Sequence, residues 1–118
     1  MLKKFEEKTL IIGLGYVGLT LALALANKGK KIWGFDKNNQ IMRSLRNKKS
    51  HIYEKNIKMI LKKNLNKNFF LTNKINLDFA NIIVTVGTPV NNKKANLTYI
   101  KEVTHKIAKI INNKPQII

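Results

Sequence analysis

One short stretch near the N-terminus restricts the fold of this chain more than any other feature. The apolar run Thr9-Leu10-Ile11-Ile12 stops at a glycine-rich turn, Gly13-Leu14-Gly15-Tyr16-Val17-Gly18. A short apolar and β-branched run of this kind is typical of a buried parallel strand. Apolar or small residues then fill nearly every position from 16 to 28. They predict a helix that opens at the turn and is buried on most of its circumference.

The rest of the chain alternates between strand and helix patterns. After the first strand, further strands are predicted at residues 31–35, 69–72, 81–86 and 115–118. Helices are predicted after a cap at Asn38 or Asn39, around residues 57–61, and from Asn96 to a stop at Asn112-Asn113. The last helix carries apolar residues three and four positions apart, at Leu97, Ile100, Val103, Ile107, Ile110 and Ile111. Such alternation specifies a parallel sheet with helices on both faces.

The three glycines of the turn have separate physical roles in a dinucleotide site. In the pattern G-x-G-x-x-G the first glycine allows a tight turn and the second lets the backbone approach a pyrophosphate. The third glycine allows the helix to pack closely on the strand. Gly13, Gly15 and Gly18 occupy these positions. The helix that follows would direct its first N–H groups and the positive end of its dipole at the phosphates.

An acidic residue stands where such a site holds the adenosine ribose. Asp36 follows the second predicted strand, eighteen positions after Gly18. A carboxylate there accepts hydrogen bonds from the ribose hydroxyls and repels a 2′-phosphate, which favours NAD over NADP. Lys37 lies next to it and could pair with such a phosphate. The cofactor predicted from these residues is NAD.

These elements together predict a Rossmann-type α/β domain, a doubly wound parallel sheet of about five strands. A chain of 118 residues has the length of one domain, so residues 1–118 would form a single NAD-binding domain. The sequence stops within an apolar strand. We therefore expect a fragment that is truncated before a sixth strand, with the substrate and C-terminal domains outside it.

The composition limits the classes of function. No apolar run approaches the roughly 18 to 20 residues of a membrane span, and the first residues lack the apolar region of a signal peptide. We therefore expect a cytoplasmic protein without a membrane partner. The chain has no cysteine, which excludes disulfides, thiolate metal sites and cysteine nucleophiles within these residues.

The formal net charge of +17 raises the alternative of a nucleic-acid-binding domain. Of the 23 lysines and arginines, only Arg43 and Arg46 are arginines, and the lysines are spread along the chain among many asparagines. This pattern is typical of a solvated lysine-rich surface and offers no guanine-reading set of arginines. Nucleic acid is therefore not the expected partner, and that alternative would require a steep salt dependence of polyanion binding.

Several stretches together carry a family resemblance. They are Ile12 to Leu19, Gly34-Phe35-Asp36, His51-Ile52-Tyr53-Glu54, Val86-Gly87-Thr88-Pro89 and Asn96 to Ile100. In order and spacing the chain resembles the N-terminal NAD-binding domain of the nucleotide-sugar 6-dehydrogenases, the family of the UDP-glucose, GDP-mannose and UDP-N-acetylmannosamine dehydrogenases. The His-Ile-x-Glu stretch is most similar to the UDP-N-acetylmannosamine branch.

The resemblance implies an NAD-dependent, two-step oxidation of a sugar C6 hydroxyl to a carboxylate, for polysaccharide synthesis. It implies a nucleotide-sugar substrate and a homodimer for the full-length protein. The second oxidation in this family uses a cysteine, which this chain lacks, so no catalytic residue is assigned. Thr88 would lie beside the nicotinamide-side ribose and phosphate. The candidate cofactor-binding residues are Gly13, Gly15, Tyr16, Val17, Gly18, Asp36, Val86, Gly87 and Thr88.

Some positions depart from the family pattern or stay open. Lys55-Asn56 follows Glu54 where the family often has Pro-Gly, and Ile41 stands where many members carry a basic residue. Glu54 either faces the cofactor or is a loop charge. His51 and His105 lack metal-like partners and are expected to be hydrogen-bonded or solvated, so no metal site is predicted. The alternative function is a stand-alone NAD- or nucleotide-sensing module that transfers no hydride.

Overall fold

The computed structural model describes residues 7–75, 79–110 and 116–118. The strands are β1 (Lys8–Ile12), β2 (Lys31–Phe35), β3 (Phe69–Leu71), β4 (Asn81–Val84), β5 (Val90–Asn91), β6 (Lys94–Ala95) and β7 (Gln116–Ile117). The helices are α1 (Tyr16–Asn27), α2 (Asn39–Arg46), α3 (Ile57–Asn64) and α4 (Thr98–Ile110). The helix that crosses from β1 to β2 begins at Tyr16, within the glycine-rich turn, and so opens at the turn as predicted.

Five of the strands form one parallel sheet in the order β3-β2-β1-β4-β7. At the carboxyl end of the central strand, Ile12 pairs with Phe35 of β2 on one side and with Val84 of β4 on the other. The chain order therefore reverses at β1, and in sheets of this kind ligands bind outside the strand ends at that reversal. The Rossmann-type fold class and the five-stranded sheet are confirmed.

Two hydrophobic clusters lie on opposite faces of the sheet. Successive side chains of a strand point to opposite faces, so Ile11 joins one cluster while Leu10 and Ile12 join the other. Helices α1, α2 and α3 cover the first face, and α4 covers the second through Val103 and Ile107. The sheet is thus wound on both faces, and β1 is buried between them.

Helix α1 is less enclosed than its sequence suggests. Its buried residues are Gly18, Leu19, Ala22, Leu23 and Ala26. The opposite side is open, with Val17 65% exposed and Ala24 also exposed. The prediction of burial around most of the circumference is only partly confirmed: Leu21 and Leu25 are half-buried against the core, but the side that faces away from the sheet and α3 is open. The stop after Asn27 is confirmed, and Gly29 there has φ +88° and donates its N–H to the Ala26 carbonyl.

The region after β4 differs from the sequence-based expectation in two ways. β4 ends at Val84, two residues before the predicted end, because β1 gives way to the glycine turn and offers no further strand partner. A short hairpin of β5 and β6 follows, and the sequence did not predict it. Its turn residues Asn92 and Lys93 have φ of +51° and +63°. Two left-handed residues are typical of a type I′ turn, but without glycine the pattern gives little signal.

The predicted caps are in place. Asn38 Oδ1 accepts hydrogen bonds from the N–H groups of Gln40 and Ile41 at the start of α2. Asn96 Oδ1 accepts from the Thr98 N–H where α4 begins, at 3.0 Å. The predicted stop at Asn112-Asn113, with Ile111 and Pro115, lies outside the described residues. Across residues 7–75, 79–110 and 116–118, every helix is too short or too polar to cross a membrane.

Candidate functional site

A cleft of about 830 Å³ lies at the carboxyl ends of β1, β2 and β4. Its walls come from the glycine turn, the residues after β2, the residues after β4 and the first turn of α4. They are Gly13, Gly15, Tyr16, Val17, Asp36, Lys37, Thr85, Val86, Gly87, Thr88, Pro89, Asn96, Thr98, Tyr99 and Glu102. The volume falls within the range of small-molecule and cofactor sites.

The structure brings eight of the nine candidate cofactor residues into this cleft. The exception is Gly18, which is buried beneath the turn and does not line the cleft. A Cβ on Gly18 would lie 1.8 Å from the Gly13 carbonyl oxygen. Gly18 therefore shapes the turn by allowing the helix to approach it, and any contribution to cofactor binding would be indirect.

Thr85 fixes the first residue of the turn, Gly13, and no pattern in the sequence predicts this contact. Its Oγ1 donates a hydrogen bond to the Gly13 carbonyl over 2.7 Å, and its N–H donates to the Ile12 carbonyl over 2.8 Å. Gly13 itself has φ +100°, and a Cβ there would lie 2.7 Å from the Thr85 carbonyl oxygen. The turn is therefore pressed against the end of β4, and only glycine fits at position 13.

The cleft side of the turn is open, in contrast to its buried side. A Cβ added at Gly15 or at Gly87 would have no atom within 4 Å. The N-cap of α1 is Gly15, so no side chain caps the first N–H groups, and the first turn contains no acidic residue. An uncapped helix N-terminus with open space in front of it is suited to binding an anion such as a pyrophosphate. These features of the turn fit a dinucleotide.

Asp36 is fixed by two backbone hydrogen bonds. Its Oδ2 accepts from the Leu14 N–H and its Oδ1 from the Asn38 N–H, each over 2.8 Å. Each oxygen of an ionised carboxylate can accept more than one hydrogen bond. The side chain can therefore hold this orientation and still accept hydrogen bonds from two hydroxyl groups of a ribose in the cleft.

Lys37 and Tyr99 meet at the outer wall of the same cleft. The Lys37 Nζ lies 3.8 Å from the centroid of the Tyr99 ring. Burial raises the pKa of Tyr99 above its usual value, and the negative charges of Asp36 and Glu102 raise it further. The sequence placed Lys37 beside Asp36 but gave no sign of this contact, because Tyr99 is brought there by α4.

Glu54 interacts with the cleft through Tyr16. The Tyr16 hydroxyl donates a hydrogen bond to Glu54 Oε1. That hydrogen bond, followed by the negative charge of Glu54, raises the pKa of Tyr16. Tyr16 lines the cleft and Glu54 does not, so the carboxylate holds the tyrosine at the edge of the site from outside. Glu54 therefore neither faces the cleft directly nor is an unattached loop charge, the two alternatives that the sequence left open.

The two histidines behave differently. Both ring nitrogens of His51 are buried and have no hydrogen-bond partner among residues 7–75, 79–110 and 116–118. The expectation that His51 is hydrogen-bonded or solvated is wrong for its ring nitrogens, although the residue as a whole is only half-buried. His105 is exposed on α4, as expected. In the part of the chain that the structure describes, no three His, Asp or Glu side chains are grouped so that they could hold a metal ion.

The comparisons with known proteins agree with this geometry. Residues 7–118 match the model of the UDP-glucose/GDP-mannose dehydrogenase family, NAD binding domain. The chain is 33% identical over 117 residues to UDP-glucose 6-dehydrogenase TuaD of Bacillus subtilis, covering 95% of this chain and 25% of the relative. It is 30% identical over 107 residues to the UDP-N-acetyl-D-mannosamine dehydrogenase of Campylobacter jejuni, covering 89% and 26%.

Solved structures show the same fold. GDP-mannose dehydrogenase of Pseudomonas aeruginosa superposes with a TM-score of 0.82 at 28% identity, covering 90% of this chain and 26% of that one. UDP-D-ManNAc dehydrogenase of Pyrococcus horikoshii superposes with a TM-score of 0.86 at 23% identity, covering 93% and 27%. The chain thus spans about a quarter of the length of the proteins that it resembles.

Proposed function

Since this chain belongs to the UDP-glucose/GDP-mannose dehydrogenase family, we propose that residues 1–118 are the NAD-binding domain of a nucleotide-sugar dehydrogenase. The enzyme would oxidise the C6 hydroxyl of the sugar to a carboxylate in two NAD-dependent steps. The chain spans only about a quarter of the length of its relatives. We therefore propose the substrate and the two-step reaction from the family and not from this chain alone.

One observation carries the proposal. The glycine turn, Asp36 and residues 86–88 come from three separate parts of the sequence, and they line one cleft at the reversal point of the sheet. This is the position at which a Rossmann-type sheet binds a dinucleotide. The agreement of motif, topology and cleft is more specific than the glycine pattern alone.

Each candidate residue has a role that its position supports. Gly15, with the first N–H groups of α1 at Tyr16 and Val17, would bind the pyrophosphate. Asp36 would accept the adenosine ribose hydroxyls. Residues 86–88, on the opposite wall, would contact the nicotinamide half, with Thr88 contributing a hydroxyl. Gly13 and Gly18 would maintain the shape of the turn.

The bound NAD would supply the hydride acceptor, and this domain would supply its orientation. No residue here is proposed as catalytic, since the thiol implied for the second oxidation is absent from these 118 residues. We also propose that the full-length enzyme is a homodimer with a nucleotide sugar as substrate. Both points rest on the family and need the complete protein for a test.

Titration of the purified chain with NADH, followed by nucleotide fluorescence or calorimetry, tests the proposed cofactor. We expect saturable binding of NADH and weaker binding of NADPH, because Asp36 lies where a 2′-phosphate would have to sit. NMN should bind more weakly than NADH, because it lacks the AMP half, which includes the adenosine ribose and one phosphate of the pyrophosphate. Absence of NADH binding by a folded chain would contradict the proposal.

A further inference from the structure

Lys37 presents a problem for NAD specificity. A cation next to the ribose aspartate is well placed to attract the 2′-phosphate that distinguishes NADP from NAD. The repulsion of that phosphate by the Asp36 carboxylate would then be opposed by the attraction of the adjacent Lys37 cation. In this structure, however, the ammonium group of Lys37 is already engaged, with its Nζ 3.8 Å from the centre of the Tyr99 ring.

We propose that Lys37 and Tyr99 form a coenzyme-specificity pair, in which the ring of Tyr99 keeps the Lys37 cation from pairing with a 2′-phosphate. The proposal rests on the proposed NAD-binding function and assigns Tyr99 a part in choosing between NADH and NADPH. Tyr99 lies on α4 and Lys37 follows β2, so the pair joins two walls of the cleft.

The surroundings of Tyr99 strengthen the hold on the cation. An ammonium group over an aromatic face is attracted by the negative face of the ring. Asp36 and Glu102 line the same cleft as Tyr99 and act on it electrostatically, and their negative charges also attract the Lys37 ammonium group. A 2′-phosphate would have to draw the lysine away from the ring and approach Asp36 at the same time.

Tyr99 is therefore more than a wall of the cleft. If its ring is removed, Lys37 is free to approach the 2′-phosphate of NADPH, and the preference for NADH over NADPH should decrease. The ratio of the NADPH and NADH dissociation constants isolates this effect, because contacts common to both nucleotides, such as those to adenine, cancel in the ratio.

The test is a double-mutant cycle measured by nucleotide titration of the full chain. Tyr99→Leu should lower the ratio of the NADPH to NADH dissociation constants by roughly two- to fivefold, the size of a partly exposed cation–π interaction. Tyr99→Phe keeps an aromatic face and should leave the ratio unchanged. In a Lys37→Met background, Tyr99→Leu should no longer change the ratio. Far-UV circular dichroism checks that each variant folds.

Lys37→Met alone gives an independent result, since Lys37 is exposed and its loss does not threaten the fold. If the lysine is held by Tyr99, this variant changes the ratio by less than about twofold. A large rise in the ratio would show that Lys37 already reaches the phosphate and would overturn the inference. So would a Tyr99→Leu effect of equal size with and without Lys37. Failure of the wild type to bind NADH would contradict the proposed function instead.

Discussion

The carboxylate of Asp36 accepts a hydrogen bond from the backbone N–H of Leu14, 22 residues earlier in the chain, over 2.8 Å. Leu14 lies between the first two glycines of the turn, so the residue proposed to bind the ribose also fixes the loop proposed to bind the pyrophosphate. We therefore expect a change at Asp36 to alter both the stability of the chain and its affinity for the proposed cofactor.

Replacing Asp36 with Asn should affect both properties. The amide group of Asn must face either the Leu14 or the Asn38 N–H, and a donor opposite a donor loses that hydrogen bond. We expect the free energy of unfolding in urea to fall by about 1–3 kcal/mol and NADH to bind roughly tenfold more weakly. Glu7→Gln removes the same charge at an exposed position outside the cleft and serves as the control. An unchanged urea midpoint in Asp36→Asn would contradict this account.

Two glycines of the turn should respond differently to alanine. Gly18→Ala places a Cβ 1.8 Å from the Gly13 carbonyl oxygen, so we expect a loss of more than about 3 kcal/mol of stability. Gly15 has φ −74° and open space around a Cβ, so Gly15→Ala should keep the wild-type urea midpoint. The same methyl group lies where the pyrophosphate would approach, and NADH affinity should fall at least roughly tenfold. Tight NADH binding by a folded Gly15→Ala variant would mean that the dinucleotide does not use this turn.

The hydrogen bond between Tyr16 and Glu54 predicts a pH dependence. Because the pKa of Tyr16 is raised above 10.0, the neutral phenol is favoured in the folded chain. The bond is therefore present below pH 10.0 and is lost as the pH rises through the raised pKa. In Glu54→Gln the negative charge is gone, so Tyr16 should ionise at lower pH than in the wild type. Ultraviolet absorbance of tyrosinate measures this. Tyr99 also has a raised pKa, so the difference between the wild type and Tyr16→Phe identifies the part of the late titration that belongs to Tyr16.

Replacing His51 with Phe should increase the stability of the chain. Its two buried ring nitrogens lack hydrogen-bond partners among the described residues, and an unsatisfied buried polar group is costly. His51→Phe removes both nitrogens and keeps a ring, so we expect stability to rise by about 1 kcal/mol in urea unfolding. His105→Phe, at an exposed position on α4, should give no such gain. A lower midpoint for His51→Phe would show that the nitrogens are hydrogen-bonded in solution.

The chain of 118 residues should not oxidise a nucleotide sugar by itself. Positioning the substrate against the nicotinamide supplies several kcal/mol of the barrier reduction, and we propose that this depends on the rest of the enzyme. The chain also lacks the thiol implied for the second oxidation. Incubation with NAD and UDP-glucose, GDP-mannose or UDP-N-acetylmannosamine should give no rise in NADH absorbance. Sugar-dependent NADH production would reveal a catalytic group within these residues.

Local patterns were enough to predict the parts of the fold that depend on neighbours in the sequence. The first strand, the turn at Gly13 and the cap at Asn38 each arise within a few residues, and all three are present. The sequence also placed eight of the nine candidate residues in what proves to be one cleft, because strand ends of a parallel sheet meet at one edge.

What the sequence did not predict depends on contacts between distant residues. Thr85 reaches Gly13, Tyr16 reaches Glu54 and Lys37 reaches Tyr99 only after the strands and helices have packed. The exposed side of α1 has the same origin, because an apolar helix face does not reveal how much of it the neighbouring elements will cover. The hairpin after Pro89 lacked a glycine that would have marked its turn.

The central position of β1 has a consequence for how the cleft is assembled during folding. The link from Leu14 to Asp36 closes a loop of 22 residues, whereas the link from Thr9 to Asn81 spans 72. Closing the longer loop costs about 1 kcal/mol more in chain entropy. We therefore expect β1, α1 and β2 to come together first and β4 to join them later. Refolding would then complete the wall that is proposed to bind adenosine before the wall that is proposed to bind nicotinamide.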